Sequence, residues 1–408
     1  MQKRSGKLTF TILSMSLLTV MAGAAMAPAL GVIRDHFKDA NGILIQLIVS
    51  LPALFIIITN FFFPALCGIM RTRTLALTGL CLYVAAGAGA FFVDNIRMVL
   101  VFRALLGVSV GMMMPLSTGL LSYYYPPEEQ ARLMGLAAFM SQVGGVIATF
   151  LSGFLCTVSW NSSFLVYLLG VVALVLVVAF LPNDRLGVGN QTLETSPDYY
   201  ESECGVTKAR KKPGHPAASL LRFAPSVIGM YLVMLLFFIF PTNFAIISQE
   251  NKSLDINAIT LIMVWLDLVA ALVGLVFGRM MKSMRRQMKY IAPLCFIAGY
   301  LCFSAGTSLS LLVAGSLLVG VANGVGVPYL NTIASIKGGR NAATTVMPLI
   351  SAAMFLGQFT SPLIVSPLAR LFNGVTAPYK VGVVIGVIFL MQAYCSRKYQ
   401  AIALPEGK

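Results

Sequence analysis

Charge is scarce in this sequence: Asp, Glu, Lys and Arg together make up 11% of 408 residues, where a soluble domain carries about a quarter. Hydrophobic residues make up 58%, more than a soluble core could hide, and that excludes a soluble fold. The formal charge of +15 comes with no RNA- or DNA-binding module. Nucleic acid is therefore excluded as a partner, and the basic residues are sorted by side of a bilayer instead. Seven cysteines, odd in number, without a C-x-x-C pair and mostly inside apolar runs, exclude a disulfide framework and a zinc site. A Walker loop is also missing, so ATP does not drive the protein directly. The stretch "GVSVG", Gly107 to Gly111, has the form of a hydrolase nucleophile elbow, but that motif needs a strand–turn–helix and a histidine partner for its serine. Here Ser109 lies in a helix-length apolar run, and the two histidines, His36 and His215, fall in loops on opposite sides. No enzymatic catalysis, cofactor or metal is expected.

What the sequence does have is long apolar runs. About 20 such residues cross a bilayer as a helix. Twelve runs read as spans, at 8–33, 43–69, 74–93, 97–122, 131–156, 161–182, 223–248, 257–281, 289–306, 309–334, 342–369 and 376–396. The first imitates a signal peptide, but its apolar length exceeds a signal's central region, so it reads as a retained span 1. Between spans 6 and 7 lies a polar stretch, acidic at its start and basic at its end, too poor in apolar residues to be a domain. The organisation expected is a six-helix bundle over 1–182, a partly disordered cytoplasmic linker over 183–222 and a second six-helix bundle over 223–408. With a cytoplasmic N-terminus the inner loops and tails hold 22 Lys and Arg and the outer loops 6. That asymmetry places both termini in the cytoplasm of a multi-pass protein of the plasma (inner) membrane.

The two halves repeat each other. "LLGVSVGMMMP" from Leu105 matches "LVGVANGVGVP" from Leu318, so that Gly107, Gly111 and Pro115 fall on Gly320, Gly324 and Pro328 at an offset of 213 residues. The same offset carries Gly144 onto Gly357. Duplication of a six-helix unit is a mark of secondary transporters, whose site lies at mid-membrane between the halves.

Particular stretches carry a family resemblance. "VFRALLGVSVG" is similar to the span-4 motif of the major facilitator superfamily, with Arg103 and Gly107 in place. "YYYPPEEQARLMGL", from Tyr123, resembles that family's loop between spans 4 and 5. In "GGVIATFLSG", Gly144 and Gly153 fit the ends of the span-5 motif associated with antiporters, while Ala148-Thr149 stands where the family has Gly-Pro. "GIMRTRTLA" keeps Gly68 and Arg73 of the signature loop after span 2, but Thr72 replaces its Asp. "GRMMKSMRRQ", from Gly278, is the second-half counterpart and also lacks the Asp. The chain thus resembles a drug/proton antiporter-like branch of that superfamily with degenerate motifs. The resemblance implies an all-α integral membrane fold of twelve transmembrane helices in two pseudo-symmetric six-helix bundles, with spans 1, 4, 7 and 10 lining a central cavity. It assigns gating or packing roles to Gly68, Arg73, Gly107, Gly111, Gly144, Gly278, Gly320, Gly324 and Gly357.

A charge at bilayer depth costs about 2.5–3.5 kcal/mol on insertion scales and marks function by default. Two fall well inside spans, Arg103 and Asp267. Asp267, in the middle of span 8, is read as a proton-coupling carboxylate, with a structural hydrogen-bonding role and direct contact with a cationic substrate as alternatives. Its counterpart in span 2, aligned through Gly278 and Gly68, is Ile57, so the repeat does not explain it. Family resemblance links Arg103 to proton transfer; binding an anionic substrate or satisfying carbonyls of neighbouring helices are its other readings. Met113, Met114 and Ser117 on span 4, Tyr231, Met234 and Phe238 on span 7 and Asn323 on span 10 are the candidate substrate-binding residues. The function expected is proton-coupled secondary transport of a small organic solute by a monomer in the lipid bilayer, leaning to efflux of an amphipathic compound. Uptake of a small organic anion and a transporter-like membrane sensor are the competing readings.

Overall fold

The computed structural model describes residues 6–125, 127–183, 223–251, 254–284, 287–306, 308–338 and 346–396. Beyond its first residue the linker expected over 183–222, with Cys204 and His215, lies outside the described residues. Among those described there are twelve helices long and apolar enough to cross a membrane, and no strand. Span 1 is Gly6–Ala24, span 2 Gly42–Ile69, span 3 Thr72–Gly89, span 4 Ile96–Tyr124 and span 5 Pro127–Leu155. Span 6 begins as a 3₁₀ helix, Asn161–Leu169, and continues as an α-helix, Gly170–Phe180. Spans 7 to 12 are Ala224–Glu250, Ile256–Met284, Met288–Ala305, Leu309–Gly338, Met347–Ala369 and Ala377–Cys395. Because the spans alternate in direction, residues 6 and 396 share one end of the bundle, the terminal end. The loop after span 1 lies at the opposite, far end.

One boundary departs from the expectation. The run 8–33 does not form a single helix: span 1 stops at Ala24, a turn follows, and Leu30–His36 forms a separate short helix that packs on spans 2 and 7. Pro28 lacks an amide hydrogen and crowds the preceding turn, so the chain here closes with bonds from the Ala27 amide to the Ala24 carbonyl and from Leu30 to Ala27. Three spans that start at the far end carry side-chain N-caps. Asn41 accepts from the Ile43 amide at 3.0 Å, Asn95 from Arg97 at 2.9 Å and Asp255 from Ala258 at 3.1 Å, each satisfying an amide the helix itself leaves bare.

Lipid offers no hydrophobic drive between helices, so close backbone approach takes its place. The glycines matched at offset 213 make that approach at equivalent places. Span 4 lies on span 2 through Gly107 and Gly111, against Pro52 and Ile56. Span 10 lies on span 8 through Gly320 and Gly324, against the carbonyls of Leu266 and Ala270. Gly144 abuts Leu17 of span 1, and Gly357 abuts Tyr231 and Leu235 of span 7. Each half also buries two tyrosines between corresponding spans: Tyr83 and Tyr167 in spans 3 and 6, with ring centroids 5.6 Å apart, and Tyr300 and Tyr379 in spans 9 and 12, at 6.3 Å. Tyr83 donates to the Leu18 carbonyl of span 1 and Tyr300 to the Leu236 carbonyl of span 7. The two six-helix bundles meet chiefly along span 2 with span 11 and span 5 with span 8.

Candidate functional site

Arg103 is 1% exposed and wholly enclosed by its own half. Its Nε donates to the Ile48 carbonyl of span 2 at 2.6 Å and Nη1 to the Tyr167 hydroxyl of span 6 at 2.6 Å. Nη2 donates to the Ala22 carbonyl of span 1. The guanidinium carbon also stands 5.5 Å from the centre of the Tyr167 ring, and the Tyr167 hydroxyl donates onward to Ala22 at 3.2 Å. No carboxylate takes part in these contacts; carbonyl dipoles and a phenol balance the charge. The counterpart tyrosine, Tyr379, keeps a buried hydroxyl with no partner among the described residues, because the repeat places Ser316 where the first half has Arg103.

Asp267 sits on the seam between the halves. Its Oδ2 accepts a hydrogen bond from the Thr149 hydroxyl of span 5 at 3.1 Å. Thr149 is 2% exposed and belongs to the Ala148-Thr149 pair that departs from the antiporter-type Gly-Pro. The two oddities of the sequence therefore touch, across the contact of span 5 with span 8. Arg103 and Asp267 form no ion pair among the described residues.

Between this bond and the far end, the halves are joined by uncharged polar groups. Gln46 of span 2 donates from Nε2 to Asn243 Oδ1 of span 7 at 2.8 Å and accepts from Ser366 Oγ of span 11 at 2.6 Å. Asn243 is held in turn by its Nδ2, which donates to the Ile239 carbonyl at 2.8 Å and to the Thr242 hydroxyl at 3.0 Å, just beyond the kink-prone Pro241. On the surface above, Arg34 of the short helix stands 3.8 Å from Glu250. At the terminal end nothing described approaches where a β-carbon on Gly68 or Gly278 would lie. There Arg73 donates to the Val178 carbonyl within its own half, and Thr72, in place of the signature Asp, has a buried hydroxyl without a described partner.

The expected substrate-binding residues divide. Met113 is fully buried against Gly79 of span 3. Ser117 turns its hydroxyl back to the Met114 carbonyl at 3.0 Å, and Met114 itself is half-buried. Tyr231 bonds Thr360 of span 11 at 2.9 Å, and Met234 packs beside Gly357 of the same span. Phe238 is half-buried, edge-on to Phe237. Asn323 is half-buried, and its Oδ1 has no partner among the described residues. Formal charge gives no signal for Tyr167, Gln46, Asn243 and Ser366; uncharged amides within apolar spans are the signal that points to two of them.

A sequence profile described as Major Facilitator Superfamily matches residues 10–362. Solved structures share the fold. The nucleoside transporter NupG is 14% identical, with a TM-score of 0.71 over 97% of this chain and 99% of that one. A D-xylose–proton symporter is 14% identical, with a TM-score of 0.68 over 94% and 97%. A bacterial homologue of the human lysosomal transporter Spinster, captured inward-facing and unoccupied, is 15% identical, with a TM-score of 0.63 over 97% of each chain.

Proposed function

As the chain belongs to the Major Facilitator Superfamily, we propose that this multi-pass membrane protein is a monomeric, proton-coupled secondary transporter that exports a small amphipathic solute by alternating access. The observation that carries the reading is the Thr149–Asp267 bond. A carboxylate at bilayer depth is costly to keep and suited to taking up and releasing a proton. Lying on the seam, it couples its proton to the packing of span 5 on span 8. The 22 Lys and Arg on the side of the termini against 6 on the other support cytoplasmic termini in the plasma (inner) membrane. The hydrogen-bonded far end is then the outer end, and the conformation is closed to the outside. Half-buried Met114 and Phe238 supply adaptable apolar lining for an amphipathic cargo. Engagement of Arg103 by two carbonyls and a phenol leaves the organic-anion reading without its anchor.

The test is flux in proteoliposomes under an imposed proton gradient, with solutes screened in each direction. Solute-dependent proton movement should occur in the wild type and vanish in Asp267→Asn. Unchanged proton movement in that variant removes Asp267 from the coupling, and binding without flux of any solute replaces transport with sensing.

A further inference from the structure

At the terminal end of the second half, a narrow recess opens between spans 9, 10 and 12. Its lining includes Lys289 and Ala292 of span 9, Gly326 and Tyr329 of span 10, and Phe389 and Ala393 of span 12. It has room for a single water-sized group. Two polar side chains interrupt the apolar lining. Tyr329 is 6% exposed, and its hydroxyl makes no hydrogen bond among the described residues. Lys289 is half-buried, with its ammonium 4.8 Å from the centre of the Tyr290 ring, and it forms no ion pair among the described residues. The described acidic residues of the second half are engaged elsewhere. Glu250 faces Arg34 and Asp255 caps span 8, both at the far end, and Asp267 is bonded to Thr149 at mid-depth. Lys289 also stands in the first turn of span 9, where the helix dipole adds positive charge, and Gln287 at the N-cap supplies no side-chain cap. A cation without a counter-ion, a hydroxyl without a partner and a helix N-terminus therefore meet at one recess, and together they suit an anion.

Depth and surroundings say which anion. Lys289 opens span 9, and Ala393 lies in the last turn of span 12, so the recess is at the level where a bilayer places its phosphates. Leu294 of span 9 and Ile388 and Met391 of span 12 are exposed, and these spans present apolar side chains to acyl chains. We propose that the recess binds the phosphate of an acidic phospholipid. Tyr329 donates to the one phosphate oxygen that enters, and Lys289 balances the charge from the rim through a charge-assisted contact. A zwitterionic lipid brings its own ammonium, which Lys289 repels, so the site selects net negative charge. Five of the eleven residues from Arg279 to Lys289 are basic, and such clusters beside the cytoplasmic end of a span favour anionic lipid. The choice of leaflet rests on the orientation proposed above; the site itself does not. The recess is too small for a transported solute and stands apart from Asp267, so it concerns the lipid and not the cargo.

Native mass spectrometry of the purified full chain tests this by counting bound lipid, with dioleoyl phosphatidylglycerol as the probe and dioleoyl phosphatidylcholine as the control. The first phosphatidylglycerol should bind at least tenfold more tightly than phosphatidylcholine. Tyr329→Phe, which keeps the ring and drops the hydroxyl, and Lys289→Gln should each raise the phosphatidylglycerol Kd at least threefold. Lys380→Gln, which removes the same charge at the far end where Lys380 bonds the Asn373 carbonyl, should leave it unchanged. Phosphatidylglycerol should also raise the melting temperature of the wild type more than that of Tyr329→Phe, because a ligand stabilises the fold that binds it. Should Lys289→Gln fail to fold, Tyr329→Phe decides. An excess of sn-glycerol 3-phosphate should leave the lipid in place; displacement by it assigns the recess to a free phosphate and overturns the lipid site. Equal binding of the two lipids, unchanged affinity in the folded variants, or a loss in Lys380→Gln as large as that in Lys289→Gln overturns it too.

Discussion

Arg103 directs its guanidinium at two backbone carbonyls and the Tyr167 hydroxyl, and that choice explains what the sequence could and could not reveal. The charge itself was conspicuous, because an arginine at bilayer depth is expensive. Its surroundings were not, since carbonyls carry no side-chain identity and Tyr167 lies 64 positions further along the chain. Asp267 followed the same pattern: visible as a lone carboxylate, with a Thr149 partner 118 residues away in a span read for its glycines and its missing Gly-Pro. Among the described residues, Tyr167→Phe removes the one side chain that shares the arginine's charge. Hydrogen bonds to charged groups contribute about 1.5–3 kcal/mol, so the variant should melt well below the wild type in detergent. An unchanged melting temperature would show that the two carbonyls hold Arg103 unaided.

At the scale of the helix, the twelve spans were legible because bilayer thickness sets a minimum apolar length, and the duplication was legible because close packing in lipid demands small residues at fixed places. The departures are local. Pro28 divides the first apolar run, and the 3₁₀ onset of span 6 at Asn161 leaves no mark in a pattern that reads only polarity. The matched glycines split into two physical classes. A methyl on Gly320 would meet the Leu266 carbonyl at 2.7 Å, whereas Gly68 and Gly278 have nothing described within 4 Å. Gly320→Leu should therefore force spans 8 and 10 apart at a cost of about 1–3 kcal/mol, lowering both melting temperature and the monodisperse fraction on size exclusion. Gly278→Leu should stay within about 0.5 kcal/mol of the wild type. Equal losses in the two variants would contradict the packing role assigned to span 10.

The whole molecule is held at its far end by amides and a hydroxyl, Gln46, Asn243 and Ser366, drawn from spans 2, 7 and 11. Interhelical hydrogen bonds in membranes contribute about 0.6–1.7 kcal/mol each. Removing two by combining Gln46→Leu with Ser366→Ala should raise the ratio of far-open to far-closed molecules about tenfold, since 1.4 kcal/mol is a factor of ten. Spin labels at the exposed positions Arg97 and Val375, on opposite halves, read this as growth of a longer-distance population in pulsed electron resonance. A distance distribution identical to that of the wild type would place the closure elsewhere. The enclosure of Arg103 has a further, electrical consequence. A membrane potential acts on any displaced charge at about 2.3 kcal/mol per elementary charge per 100 mV. Arg103 is tied to spans 1, 2 and 6 of one bundle, so its charge keeps its place in that bundle whatever the other does, whereas in the proposed coupling the charge on Asp267 comes and goes with a proton. Voltage then grips the proposed cycle through Asp267, and transport by Asp267→Asn should ignore the membrane potential even with Arg103 in place.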